Sequence, residues 1–211
     1  EYNLKPFFYS TLQDADTILY RQEVARDLET DTLLQKVKLF AEKMIIIRRY
    51  LNMIDKLYYK HHQEGWFLEA ALVYCDAVSC LAQDLSLARL RSRGFVGFRE
   101  YVQRYTQSPQ FLSLVSEAGR LKDRLSSIQY CVLIKGNWVR VRKYESEIDY
   151  SKDVEKTFEK FKQGEVKDYR VDLRLSVSGM NRVEAQILDC VVKLFPEEFK
   201  ELGHFLSLIH I

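Results

Sequence analysis

Apolar residues stand at Leu33, Val37, Phe40, Met44, Ile47, Leu51, Ile54 and Tyr58, in steps that alternate four and three without a break. Such a heptad-type repeat marks a long helix that packs along a neighbour at a shallow angle. Thr30 suits the capping position before it. A helix over residues 30–60 would reach about 45 Å at about 1.5 Å per residue, and few compact domains need so long a rod. Gly65 is expected to end or bend it. A third helix then carries Leu68, Leu72, Cys75, Val78, Ala82 and Leu85 on one stripe, as an antiparallel partner would.

The remaining segments are mostly helical in pattern. Residues 14–28, "DADTILYRQEVARDL", open on acidic side chains that suit the positive end of a helix dipole. The turn "RLRSRGFVGF" holds Arg89, Arg91 and Arg93 and leads into a short helix ending near Thr106. Ser108 and Pro109 open the next helix, with Phe111, Val115, Ala118, Leu125 and Ile128 along its buried side. "SKDVEKTFEKFKQG" reads as a short charged helix that Gly164 can terminate. "YRVDLRLSV", residues 169–177, alternates strictly and is expected to add a strand. Asn181 with Glu184 makes a capping box for a final helix, "RVEAQILDCVVKLF", expected to stop at Pro196.

One stretch departs from helical periodicity. "YCVLIKGNWVRVRKYESEIDY", residues 130–150, holds two runs rich in β-branched and aromatic residues around "KGN", which predicts a hairpin. Its second strand puts Val139 and Val141 on one face, and Trp138, Arg140, Arg142 and Tyr144 on the other. Residues 135–144 hold four positive charges (Lys135, Arg140, Arg142 and Lys143) and no negative ones. Two readings fit. Taken by themselves the charges are first the wet side of a sheet, with Glu145, Glu147 and Asp149 at hand to neutralise them. Alternatively, arginines flanked by aromatic rings make a phosphate-contacting surface that reads no base sequence. The arginine turn at residues 89–93 is the weaker candidate.

Composition limits the rest. The 211 residues are 47% apolar and 13% aromatic, enough for a packed interior. Against 30 acidic side chains the 32 basic ones leave a net charge of +2, so any attraction to phosphate must be local. Cys75, Cys80, Cys131 and Cys190 form no C-x-x-C pair and read as reduced, buried thiols. His61-His62 reads as the polar end of the long helix rather than a metal site. No phosphate loop G-x-x-x-x-G-K-[ST] and no G-x-S-x-G is present, so the segment itself holds no catalytic constellation.

No leader pattern is read at the N-terminus and no apolar run long enough to span a bilayer; "MIII" runs straight into Arg48-Arg49. The expected setting is cytoplasmic. The chain opens on Glu1 rather than Met and is expected to begin inside a longer protein. Its closing "LSLIHI", residues 206–211, breaks the preceding pattern and resembles the translation of a transposase-type sequencing adapter. It is expected not to be natural sequence, in which case the protein runs on past Phe205; the other reading is an apolar tail finishing a helix.

The opening "LKPFFYSTLQDADTILYRQEVARDLE" resembles the start of the core (lever) domain of the MutS family of DNA mismatch-repair ATPases. Leu12, Asp14, Ile18, Arg21, Gln22, Val24 and Leu28 match that family's register, with Val24 two rather than three residues after Gln22. "DKLYYK", "DLSLARLRSRGF", "FREY", "LIKGNWVRVRKYESEIDYS", "FEKFKQGEVKDYRV" and "NRVEAQILD" are similar to a MutS-related bacterial subfamily without the mismatch-reading domain. A subfamily without the mismatch-reading domain is expected to lack the family's aromatic-x-glutamate mismatch reader, and its nucleotide-binding loop is expected past Phe205.

The resemblance implies a mainly α, long-helix bundle of the lever type with a small β-hairpin or α+β insertion. It implies a helical core over residues 1–128, a clamp-like insertion over 129–178, and a truncated returning helix over 179–205. It also implies non-specific contact with double-stranded DNA through Lys135, Arg140, Arg142 and Lys143, supported by Trp138 and Tyr144, and transmission of ATP-driven motion. The fragment itself needs no cofactor or metal; ATP and Mg are expected for the parent protein, together with homodimerisation and no membrane. The alternative is a helical scaffold or dimerisation module that touches no DNA.

Overall fold

The computed structural model describes residues 13–135, 138–145 and 182–209, with Tyr9 and Met180; at 31, 134, 135, 138 and 206–209 it describes the backbone alone. Among the described residues the architecture is mainly α with one small antiparallel sheet. In chain order the elements are α1 (Ala15–Leu28), α2 (Asp31–Ile54), α3 (Lys60–Leu87), α4 (Arg93–Thr106), α5 (Pro109–Ser126), β1 (Tyr130–Lys135), β2 (Trp138–Lys143), α6 (Arg182–Leu194) and α7 (Pro196–Ile209). The chain divides into two compact units, Glu1–Lys122 with Phe205–Ile211, and Asp123–His204. The expected helix over 151–164 and strand over 169–177 lie outside the described residues.

In the first unit α2 and α3 form an antiparallel pair, as the heptad spacing predicts. Tyr50 meets Trp66 edge-on at 4.8 Å, Lys43 binds Asp76 at 2.6 Å, and Lys36 binds Asp84 at 3.0 Å, so one index falls as the other rises. The rod is shorter than expected, however. It ends at Ile54, and Gly65, the expected breaker, lies inside α3. The turn that follows is held locally: the Gln63 side-chain amide donates to the carbonyl of Leu57 at 2.7 Å and to that of Ile54 at 3.3 Å, which also accepts the Leu57 N–H at 3.1 Å. The repeat position Tyr58 falls in this turn and is 91% exposed.

The core gathers on α3. Leu81 and Leu85 pack with Leu33 from α2 and Val102 from α4, and Val37, Phe40 and Phe95 close around them. Burying a side chain such as Leu85 contributes about 1.5–3 kcal/mol, and Leu85 has no solvent exposure. Tyr74, Tyr105 and Phe111 join α3, α4 and α5 through ring contacts and a 2.9 Å bond between the two hydroxyls. On α5 the expected buried side is only partly realised: Phe111 and Ala118 are buried with Leu121, while Val115 is exposed.

By length and hydropathy α3 also passes for a membrane span, with an 18-residue window of mean hydropathy 1.4, which the sequence reading did not find. Of that window 39% is buried within the protein, and Trp66, Leu68, Ala70, Cys75, Val78 and Leu81 are among the buried residues of α3.

In the second unit β1 and β2 pair with α6 at their side. Helix α6 stops at Leu194, as Pro196 demands, but the chain does not end its helical course there. Pro196 occupies the first position of α7, where its missing N–H costs nothing and its fixed φ is already helical. Glu197 and Glu198 sit in that first turn. In place of one returning helix there are two, and Leu202 of the second is buried.

Candidate nucleic-acid interface

The hairpin is built by its own ladder. Cys131 pairs with Arg142, Val132 with Val141, Leu133 with Arg140, and Lys135 with Trp138. Paired residues of antiparallel strands share a face, so Arg140 and Arg142 stand with Leu133 and Cys131. Lys143, paired with Tyr130, falls on the opposite face with Val139 and Val141. One further backbone bond, from the Tyr144 N–H to the Gln129 carbonyl at 3.2 Å, extends the closure past the strand ends.

The four expected contact residues and their two aromatic supports thus do not form one surface. Arg140 is exposed beside the partly exposed Leu133, and Arg142, two residues on, is half-buried on the same face. The Lys143 ammonium lies 5.0 Å over the Phe195 ring, a cation–π contact at the end of α6. Tyr144 follows the strand and is exposed, as is Glu145. Lys135 and Trp138 are paired through their backbones at the far end of the ladder; their side chains lie outside the described residues, as do Glu147 and Asp149. Two strands alone are marginal in water. Among the described residues the ribbon's support within its unit is α6, packed beside β2.

The second arginine-rich stretch is organised differently. Asp27, near the end of α1, is only 7% exposed. Its carboxylate accepts the Arg91 N–H at 3.1 Å and the Ser92 N–H at 2.8 Å, tying the turn to α1 across 64 and 65 residues of chain. Burial pushes this carboxyl up, but the hydrogen bonds from Ser92 and Arg91 outweigh it and hold the group below the usual carboxylate range. Ser92 in turn caps α4, its hydroxyl accepting the Phe95 N–H at 3.1 Å. Arg93 binds Asp16 at 2.9 Å and Glu23 at 3.2 Å. Sequence reasoning missed Asp27, because no local pattern links a helix-end aspartate to a turn so far along the chain.

His61 and His62 open α3 and do not finish the long helix. His61 Nδ1 lies 2.8 Å from Glu64, a carboxylate the sequence reading did not connect with it, and His62 Nε2 accepts the Trp66 indole N–H at 2.9 Å. Among the described residues no group of three metal-ligating side chains converges. No family model, no curated protein and no solved structure matches the chain.

Proposed function

We propose that this chain is a lever-and-clamp segment of a MutS-like ATPase, gripping duplex DNA through the phosphate backbone and transmitting ATP-driven motion in DNA repair or related processing. The observation that supports it best is the exposed Arg140 on a two-stranded ribbon, with the half-buried Arg142 on the same face. A guanidinium fork offers paired donors to phosphate oxygens, and nothing about a single ribbon face would read base edges. In this reading Arg140 and Arg142 form the contact, Lys135 and Trp138 extend it towards the hairpin tip, Tyr144 flanks it, and Lys143 braces the ribbon on Phe195. ATP and Mg belong to the parent protein, which acts in the cytoplasm as a homodimer.

The test is duplex binding by the full chain, followed by fluorescence anisotropy over a range of salt. Affinity should fall steeply with salt and be alike for unrelated duplexes. Arg140→Glu should weaken all of them together and lower the salt slope by about one. Binding that ignores this change would remove the hairpin from the account.

A second reading, a scaffold or dimerisation module without DNA contact, draws on Leu39, Ile45, Ile46 and Leu51, which α2 leaves exposed. It predicts sedimentation as a dimer that duplex DNA neither dissociates nor joins.

A further inference from the structure

The arginine turn takes no part in the proposed DNA contact, yet it borders a cleft of about 540 Å³ between α1, the start of α2 and the segment before α4. Arg26, Arg89, Arg91, Thr30 and Thr32 line it. Both carboxylates in its wall are already engaged. Glu23 is paired with Arg93, and the oxygens of Asp27 are taken up by backbone N–H groups, although that carboxylate also feels the Arg91 charge. Among the described residues no carboxylate forms an ion pair with the guanidinium of Arg26, Arg89 or Arg91. Thr30 precedes α2 without its hydroxyl capping that helix. The wall is therefore rich in uncommitted donors, and the Asp27 hydrogen bonds fix the backbone at Arg91.

We infer that this cleft binds a small phosphorylated ligand. Several guanidiniums around one concavity suit phosphate, whose oxygens accept paired, charge-assisted hydrogen bonds. The volume lies in the range of small-molecule sites and exceeds what a bare phosphate needs, so the ligand has a body as well as a head. Leu33 and Ala88 offer that body an apolar wall. A duplex is too broad to enter such a concavity, which separates this site from the hairpin. The inference is independent of the reading of the hairpin.

Inorganic pyrophosphate is the probe, titrated calorimetrically into the full chain at constant ionic strength with a chelator present, and sulfate is the comparison. Saturable one-to-one binding, tighter for pyrophosphate than for sulfate, is expected. Arg89→Gln and Arg91→Gln should each weaken it about tenfold, while Arg140→Gln should leave it unchanged. All three side chains are exposed, so thermal unfolding of the free variants should match the parent and exclude misfolding. Binding that does not saturate, or that survives the combined Arg26→Gln, Arg89→Gln and Arg91→Gln changes, would overturn the inference. Competition by duplex DNA that Arg89→Gln abolishes would overturn it too, by assigning the cleft to backbone phosphate.

Discussion

The turn at residues 89–93 and the strand Trp138–Lys143 are two arginine-rich stretches with opposite roles for the backbone beneath them. The turn is tied down by a buried carboxylate on another helix, which takes up its N–H groups and leaves Arg89 and Arg91 at the rim of a cleft. Among the described residues the strand is held by a single ladder and one flanking helix, and Arg140 on it is exposed. Charge density along a sequence does not distinguish these cases. What matters is which charges are already engaged and whether the surface behind them is concave or flat. Arg93 and Lys143 make the point in each stretch, the first bound to Asp16 and Glu23, the second resting on Phe195.

The contrast can be broken most forcefully at Asp27. Asp27→Ala leaves the Arg91 and Ser92 N–H groups without their acceptor and should cost about 1–3 kcal/mol, measured by chemical denaturation. Next comes Gly94, where an added Cβ would lie 2.7 Å from the Tyr20 hydroxyl and 2.8 Å from a Val24 methyl. Gly94→Ala should cost about 1–3 kcal/mol, at the lower end if Tyr20 swings aside, by prising α4 from α1. At the hairpin the expected effect on stability is smallest: Arg140→Gln should stay within about 0.5 kcal/mol, because an exposed side chain away from packed features contributes little. A large loss there would mean that the arginine is structural.

Acid sharpens the same comparison. The Asp27 carboxyl is held below its unfolded value, so its contribution is fully present above the unfolded pKa of about 3.9 and is lost as pH falls through the lower, folded value. The stability gap between the parent and Asp27→Asn should therefore be constant near neutrality and close below about pH 4. A gap that instead closes on the alkaline side would contradict the assigned hydrogen bonds.

Much of the helical plan was legible because it is periodic. The four-three spacing from Leu33 predicted the α2–α3 pair, and the β-branched runs around residue 136 predicted the hairpin. What stayed hidden was long-range or depended on one side chain. The turn after α2 is held by the Gln63 amide, while Gly65, a residue usually read as a breaker, is accommodated within a helix whose stability comes from packing. Helix α7 had local signals, Pro196 at its start and Phe199, Leu202 and Phe205 at helical spacing, but Pro196 was read only as a stop. Lys143 counted with the cationic candidates, yet strand alternation sends it to the other face. The cleft could not be foreseen, since its arginines come from segments some 60 residues apart and meet through Asp27.

The most direct measurement sets the two stretches against each other at equal charge: duplex-DNA affinity of the full chain with Arg140→Glu and, separately, Arg89→Glu, in the same salt. Each change alters net charge by the same amount, so the general field cancels. The account predicts that Arg140→Glu weakens binding about tenfold while Arg89→Glu stays within about twofold of the parent. Equal losses, or the larger loss at Arg89, would contradict it.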